Sequence, residues 1–430
     1  METPSFLRRL FRSRDGGGDA AGEVLALCRQ MLTERGEASG ATLAREALAA
    51  WRRMDDAGHG HFFDLLAREF SPAPDQVLRA AEAYRESPDA KNHARLQRAV
   101  EPPRQELFRR LNTAPGGTAT LVSMRSILLE GLDHHPDWAQ IDADLLRLFR
   151  DWFNRGFLRL ERIDWRTPAN VLEKLIEYEA VHEIRGWDDL RRRLQADRRC
   201  FAFFHPALPD EPLIFIEVAL TRELAARIGP LIDLEAPIDE PDRATHAMFY
   251  SITNCQTGLR GISFGNFLIK QVAEDLQRLH PKVKTFATLS PVPGFARWLR
   301  SSRAKLGEEL VALDEPGWHA SKHAAALGKR LAAFGAYYLL LAKRGEAPLD
   351  PVARFHLGNG ASLERVNPLS DLSQSGLERG AGLMVNYVYR LQDIEENHEA
   401  FVKEHRVVAS GAVLKLARAC PLASREKAGA

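Results

Sequence analysis

A glycine-rich segment holds the strongest candidate anion site in the sequence. Gly258, Gly261 and Gly265 surround Arg260, in the order strand, glycine loop, helix, strand. At such a junction, free backbone N–H groups and the positive end of the helix dipole converge. A phosphate or pyrophosphate is the ligand that this arrangement favours. The segment matches neither the P-loop nor the dinucleotide pattern GxGxxG, so the sequence predicts an anion site without indicating either nucleotide family.

Three polar side chains further along the chain carry groups that donate and accept hydrogen bonds. Ser290 ends the segment VKTFATLS, just before Pro291 turns the chain away from the sheet. His356 lies in RFHLGNG and Tyr389 lies in NYVYRL, and both segments are interpreted as strands, with Tyr387 on the same strand face as Tyr389. A serine before proline is most often a turn residue, and a lone strand histidine is most often structural. Histidine nevertheless suits acid–base chemistry, because its ordinary pKa is about 6.5.

A sheet in the second half of the chain must position these residues. Short segments rich in β-branched and aromatic residues predict strands. A helical insertion follows at about 293 to 344, and its apolar stretch FGAYYLLLA predicts a buried helix. Together the elements predict an α+β domain with a central mixed sheet. The predicted strands are CFAFFHP, PLIFIEVALT, THAMFYSIT, VKTFATLS, RFHLGNGASLERVNP and GLMVNYVYRL.

The first half of the chain has helical periodicity with short turn-forming breaks, which is typical of a bundle. We therefore predict three parts: a flexible tail over 1–19, an all-α helical domain over 20–190 that serves oligomerisation and scaffolding, and a catalytic domain over 191–430. The histidine pairs of the helical part have no carboxylate or cysteine pattern beside them. No metal site is predicted.

Composition restricts the class of protein. The chain has 430 residues, a formal net charge of +1 and 27% charged residues, so no general attraction to nucleic acid or to a membrane is expected. No apolar run approaches the roughly 20 residues that span a bilayer. Four cysteines without a CxxC pair fit a reducing compartment, so a cytoplasmic location is expected. The arginine-rich first residues leave a mitochondrial transit peptide as the alternative.

Several spaced motifs resemble one known family. LRGISFGNFLI resembles the pyrophosphate-binding loop of the GNAT acyltransferase fold, written R/Q-G-x-G-x-G/A, with serine in place of the middle glycine. Together with TLSPVPGFARWL, RFHLGNGASLERVNPLSD and GLMVNYVYRL, it makes the chain similar to the malonyl-CoA decarboxylase family. ATLAREALAAW and EPLIFIEVALT extend the resemblance over nearly the whole chain. It implies a helical domain followed by a GNAT-like catalytic domain.

The resemblance also implies an activity and a set of site residues. Malonyl-CoA would lose carbon dioxide and become acetyl-CoA. Ser290 would engage the carboxylate or accept a proton, His356 would protonate the enolate carbon, and Tyr389 would orient the other groups. Ser263 stands where members of the family can carry glutamate, so no acid–base role is expected there. The implied coenzyme-binding residues are Arg260, Gly261, Ile262, Ser263, Phe264, Gly265 and Asn266.

The chemistry places few demands on cofactors or partners. The thioester carbonyl itself delocalises the carbanion that decarboxylation leaves, so no cofactor is expected beyond the coenzyme A of the substrate. A homo-oligomer, dimer or tetramer, is expected through the helical domain.

Two other functions share the same fold and loop. One is a GNAT-type N-acyltransferase, which needs an amine acceptor and a base. The other is a non-catalytic acyl-CoA sensor. Fold alone does not separate the three, and the Ser290 and His356 motifs favour the decarboxylase.

Overall fold

The computed structural model describes residues 18–33, 36–262, 268–302 and 312–423. Contacts divide the chain into two units. The helical unit comprises Met1–Leu158, His205–Pro209 and Gln256–Ser263, and the sheet unit comprises Arg159–Phe204, Asp210–Cys255 and Phe264–Ala430. The predicted tail falls almost wholly outside the described residues.

The helical unit confirms the predicted helical N-terminal region. Asp55 and Asp89 cap two of its helices by accepting backbone N–H groups at 2.8 Å, and proline opens two others. Buried aromatic residues such as Phe62, Phe108 and Phe149 form much of its core. The helices are α1 Gly18–Thr33, α2 Glu37–Trp51, α3 Asp56–Glu69, α4 Pro74–Glu86, α5 Ala90–Val100, α6 Pro103–Asn112, α7 Gly117–Gly131 and α8 Ala139–Trp152.

Helical structure gives way to the sheet earlier than the sequence predicts. A strand, β1 Arg159–Ile163, lies inside the range that was interpreted as nearly all helix, and it pairs antiparallel with residues 200–204. Contacts also place 159–204 in the sheet unit. The domain limit at residue 190 stays a prediction.

The sheet unit contains strands in each segment that the sequence predicts, apart from RFHLGNG, and further helices around them. Its helices are α9 Ala169–Tyr178, α10 Trp187–Arg193, α11 Gly229–Ile232, α12 Leu268–Leu279, α13 Phe295–Ser301, α14 Ala324–Leu340, α15 Pro351–Gly358, α16 Gln374–Gly380, α17 Ile394–Glu404 and α18 Gly411–Ala419. The remaining strands are β2 Arg198–His205, β3 Leu208–Thr221, β4 His246–Asn254, β5 Thr285–Thr288, β6 Ser290–Pro291, β7 Lys343–Arg344, β8 Ala347–Pro348, β9 Ser362–Asn367 and β10 Met384–Tyr389.

The main sheet is mixed, as predicted. Its strand order is β1-β2-β3-β4-β5-β10-β6, with β9 also paired to β10. Strands β4 and β5 run parallel, whereas β10 runs antiparallel to β5, β6 and β9. This register sets Tyr389 opposite Phe286 and Val385 opposite Ser290. The start of β6 and the end of β10 therefore carry candidate site residues on neighbouring strands.

The most apolar stretch of the chain is the end of α14, which is buried as predicted. Along the ranges that the structure covers, no helix combines the length and the hydropathy that crossing a membrane requires.

The prediction of a strand for RFHLGNG was wrong, because this segment is the helix α15. The side chain of Asp350 accepts the N–H of Ala353 at 2.8 Å and caps the helix, and Pro351 opens it. At the other end, Gly360 adopts a φ of 80°, and Ala361 N–H donates to His356 O at 3.1 Å. This is a Schellman ending, which stops the helix just after His356.

Gly360→Ala should destabilise the protein by about 2 kcal/mol or more. The left-handed conformation disfavours a Cβ atom by roughly 1–2 kcal/mol, and this Cβ would lie 2.1 Å from Ile394 O. Gly358→Ala is the matched control, because its Cβ would meet nothing nearer than Phe401 at 3.8 Å. Denaturant unfolding of both variants measures the difference. Equal stabilities would contradict the role assigned to the Schellman ending.

Candidate active site

The structure brings Ser290, His356 and Tyr389 together in one hydrogen-bonded chain. Ser290 Oγ lies 3.0 Å from His356 Nε2, and Tyr389 OH lies 2.8 Å from His356 Nδ1. All three side chains are buried. They come from the start of β6, the last turn of α15 and the end of β10, which are far apart in sequence. The fold therefore aligns two hydroxyl groups on the two nitrogens of one imidazole.

Two more residues support the three hydrogen-bonded side chains, and the sequence had assigned neither of them a role there. Thr288 Oγ1 accepts the Ser290 hydroxyl at 2.9 Å and the backbone N–H of Tyr387 at 3.2 Å. The ring of Tyr387 stacks on the His356 imidazole, with centroids 4.7 Å apart and planes 25° apart. Thr288 lies two residues before Ser290. Because side chains two residues apart on a strand point to the same face, this spacing could have predicted their contact.

Burial keeps the imidazole neutral. It lowers the pKa of His356 to about 3, so the pKa near 6.5 that the sequence suggests does not apply in this structure. Burial also raises the pKa of Tyr389 well above its usual range, so the phenol stays protonated. A phenol that donates to Nδ1 selects the tautomer with hydrogen on Nε2. In that tautomer Nε2 donates to Ser290, and the serine hydroxyl is free to donate in turn.

Asp350 is a buried carboxyl group at the start of α15. Burial is the main reason that its pKa is raised to about 6. Besides capping the helix, it lies close to Gly294, where a Cβ atom would be 3.9 Å from Asp350 Oδ2 and 2.5 Å from Tyr338 OH. Gly294 belongs to the turn that follows Ser290. Asp350 thus caps the helix of His356 at a place close to the turn that follows Ser290.

The glycine segment is described only in part. Thr257–Leu259 forms a 3-10 turn after β4, as the order strand, loop, helix requires. Arg260 and Gly261 are exposed and Ile262 is buried. The N–H groups of Arg260 and Ile262 donate within the turn at 3.0 Å, so they are not the free donors that the sequence predicts. The other candidates, Ser263, Phe264, Gly265 and Asn266, lie outside the described residues.

The loop and the three hydrogen-bonded side chains belong to different units. Thr257–Ile262 belongs to the helical unit, whereas Ser290, His356 and Tyr389 belong to the sheet unit. Over the same described ranges, no group of three or more histidine, cysteine, aspartate or glutamate residues is arranged to hold a metal ion.

The site is thus a buried, uncharged set of two hydroxyl groups and one imidazole, with Ser290 and Tyr389 on the mixed sheet and His356 on α15. Two family models match the chain: the malonyl-CoA decarboxylase C-terminal domain over residues 156–427 and the malonyl-CoA decarboxylase N-terminal domain over residues 70–153. The chain therefore belongs to the malonyl-CoA decarboxylase family, whose members are carboxy-lyases.

Individual relatives agree with the family models. The mitochondrial malonyl-CoA decarboxylase of Anser anser anser is 35% identical over 86% of this chain and 79% of its own length. The mitochondrial malonyl-CoA decarboxylase of Rattus norvegicus is 36% identical over 75% of this chain and 72% of its own length. The crystal structure of malonyl-CoA decarboxylase from Rhodopseudomonas palustris matches with a TM-score of 0.89 and 51% identity, over 92% of this chain and 99% of that one. The Agrobacterium vitis structure matches with a TM-score of 0.87 and 50% identity, at the same coverage.

The buried state of His356 should appear in the pH dependence of stability. Its folded pKa of about 3 lies below the unfolded value of about 6.5. Between these two values the unfolded state binds a proton at His356 and the folded state does not. The contribution of His356 to the free energy of unfolding is therefore complete above pH 6.5 and is lost as the pH falls towards 3. At pH 5 the loss is about 2 kcal/mol.

His356→Gln should thus lose about 2 kcal/mol less than the parent protein when denaturant unfolding at pH 7.5 and pH 5 is compared. His182, whose pKa burial lowers to about 4, contributes to both proteins alike. An equal loss in the two proteins would mean that His356 is already charged in the folded state.

Proposed function

We propose that this chain converts malonyl-CoA to acetyl-CoA and carbon dioxide through a thioester enolate. The observation that carries the proposal is the hydrogen-bonded set of Ser290, His356 and Tyr389 on a chain of the malonyl-CoA decarboxylase family. Loss of carbon dioxide leaves an electron pair that the thioester carbonyl delocalises. No cofactor is needed for that step, because the substrate is its own electron sink.

Ser290 engages the malonyl carboxylate through its hydroxyl group in this mechanism. With hydrogen on Nε2, His356 donates to Ser290 Oγ, so the serine proton can turn from Thr288 to the substrate. A neutral donor suits a carboxylate that must leave as neutral carbon dioxide, since it orients the group without holding it as strongly as a cation would. Ser290 therefore acts as a donor in the first step.

His356 then supplies the proton that the enolate carbon needs. The Ser290 hydroxyl gives its proton to the carbon, Nε2–H of His356 returns a proton to Ser290 Oγ, and Tyr389 OH gives its proton to Nδ1. The negative charge of the enolate thereby passes to the Tyr389 oxygen, and a proton from water neutralises it there, as its raised pKa favours. One proton enters from water in each turnover. Proton transfer by a positioned group typically contributes about 10²- to 10⁴-fold to the rate.

The electrostatics of the site favour a lyase over an acyltransferase. An acyltransferase base must end the step with a positive charge, and a charged His356 would be buried beside two hydroxyl groups and the Tyr387 ring. Burying an unpaired charge is strongly unfavourable. In the lyase reaction the imidazole stays neutral throughout and no amine acceptor is needed.

The coenzyme is proposed to bind at the glycine loop, Arg260 to Asn266. The loop follows a strand and precedes α12, and its Gly261 adopts a φ of 82°, a conformation that favours glycine. The exposed side chain of Arg260 is a charge partner for the pyrophosphate.

We also propose that the helical unit forms a homo-oligomer, a dimer or tetramer, because it supplies none of the three proton-transfer residues. Sedimentation at micromolar concentration should show self-association. A monomer under those conditions would contradict it.

The central experiment is turnover in deuterated water, with malonyl-CoA as the only substrate and after treatment with a chelator. We expect acetyl-CoA with one deuterium in its methyl group. His356→Ala should lower kcat by about 10²-fold or more. Ser290→Ala should lower kcat strongly while changing acetyl-CoA affinity less than about tenfold, because acetyl-CoA lacks the carboxylate.

His246→Ala is the matched control, since His246 lies on the same sheet at the start of β4 and contacts Thr245. It should keep its kcat within about twofold. Parent-like turnover of His356→Ala, or a requirement for an amine acceptor, would overturn the proposed mechanism.

A further inference from the structure

A buried arginine of α7 holds the turn that begins the glycine loop. Arg125 is 2% exposed. Its Nη1 donates to Gly258 O at 2.7 Å and to Arg260 O at 2.8 Å, and its Nε donates to Asp142 at 2.7 Å. All of these residues belong to the helical unit. One guanidinium group therefore fixes two carbonyl groups of the loop, and a carboxylate of α8 fixes the guanidinium.

The same turn lies against the backbone of α7. A Cβ atom at Gly258 would be 1.9 Å from Val122 O, so only glycine fits there. The contact and the two hydrogen bonds of Arg125 act on the same short turn. The first residues of the loop are therefore held rigidly by the helical unit.

The carbonyl of Arg260 determines where the next amide points. A trans peptide is planar, and its C=O and N–H groups point in opposite directions. The Arg260 carbonyl faces Arg125, so the N–H of Gly261 points away from Arg125. That N–H donates to no residue among those the structure describes, whereas the N–H groups of Arg260 and Ile262 are used within the turn.

We propose that Arg125 is a positioning residue for coenzyme binding, which holds the Gly258 and Arg260 carbonyls so that the Gly261 amide faces the pyrophosphate. It acts through the loop and does not touch the substrate. The inference rests on the coenzyme role proposed above for the loop. It gives the helical unit a part in the reaction besides self-association, because the residue that sets the anion-binding amide comes from α7.

The first test compares kinetics and binding. Arg125→Gln should raise KM for malonyl-CoA and the calorimetric Kd for acetyl-CoA by about tenfold. It should leave kcat within about twofold, because Ser290, His356 and Tyr389 are untouched. Arg125→Lys, which keeps a charged donor, should recover part of the affinity and serves if Arg125→Gln does not fold.

Arg104→Gln is the matched control. Arg104 is also a buried arginine of the helical unit, and it is paired with Asp144 of α8 and donates to Ser71 at 2.8 Å, away from the loop. It should lower thermal stability as Arg125→Gln does, without changing KM. A KM raised equally in both variants would overturn the inference, since general loosening of the unit would then explain the effect.

A second measurement separates this inference from the proposed coenzyme site. Hydrogen exchange at the Arg260 and Ile262 amides of the coenzyme-free protein should be faster in Arg125→Gln, and unchanged exchange would overturn the inference. Gly261→Asp places a negative charge at the proposed anion site, and Gly261→Asn is its neutral counterpart, since both residues tolerate the left-handed conformation. Both side chains crowd the loop to a similar extent, so Gly261→Asp should bind acetyl-CoA more weakly than Gly261→Asn because of its added negative charge.

If Gly261→Asp and Gly261→Asn bind acetyl-CoA alike, the coenzyme lies elsewhere, and the proposed site fails together with this inference. If Gly261→Asp binds weakly but Arg125→Gln binds normally, the coenzyme site stands and the positioning role of Arg125 is wrong.

Discussion

The site depends on a neutral imidazole that is buried between two hydroxyl groups. His356 has one hydrogen to share between Ser290 on Nε2 and Tyr389 on Nδ1. A Tyr389 phenol that donates to Nδ1 puts the hydrogen on Nε2, and the proposed mechanism then uses the Ser290 hydroxyl as a donor to the substrate. A carboxylate on the imidazole would favour the opposite direction, in which histidine removes the proton of serine. When the imidazole donates to serine, the serine can deliver a proton. When the imidazole accepts from serine, the serine becomes a nucleophile.

These hydrogen bonds require a fixed position and orientation of α15. Asp350 caps its first turn, and the left-handed Gly360 follows its last turn, about two turns of helix in all. The carbonyl of His356 itself accepts the closing N–H of Ala361, so the proposed proton donor is also part of the helix ending. Errors of about 1 Å in such positions can lower a rate about 10²-fold. The short helix is therefore fixed at both ends.

The sequence predicted the main strands and the mixed sheet because their segments alternate and are rich in β-branched residues. It placed His356 on a strand, although Asp350-Pro351 and Gly360 were available start and stop signals for a helix. The link between Arg125 and Gly258 could not be predicted. These residues are 133 positions apart, and a buried arginine that binds carbonyl groups leaves no spacing pattern.

The protonation state of His356 is the claim on which the mechanism rests, and nitrogen NMR of histidine-labelled protein measures it directly. Comparison with His356→Gln identifies the signal. We expect a neutral ring with hydrogen on Nε2, unchanged between pH 8 and pH 5, because burial lowers the pKa of His356 to about 3. An imidazolium signal that appears with a midpoint near pH 6.5, or a hydrogen on Nδ1, would contradict the account.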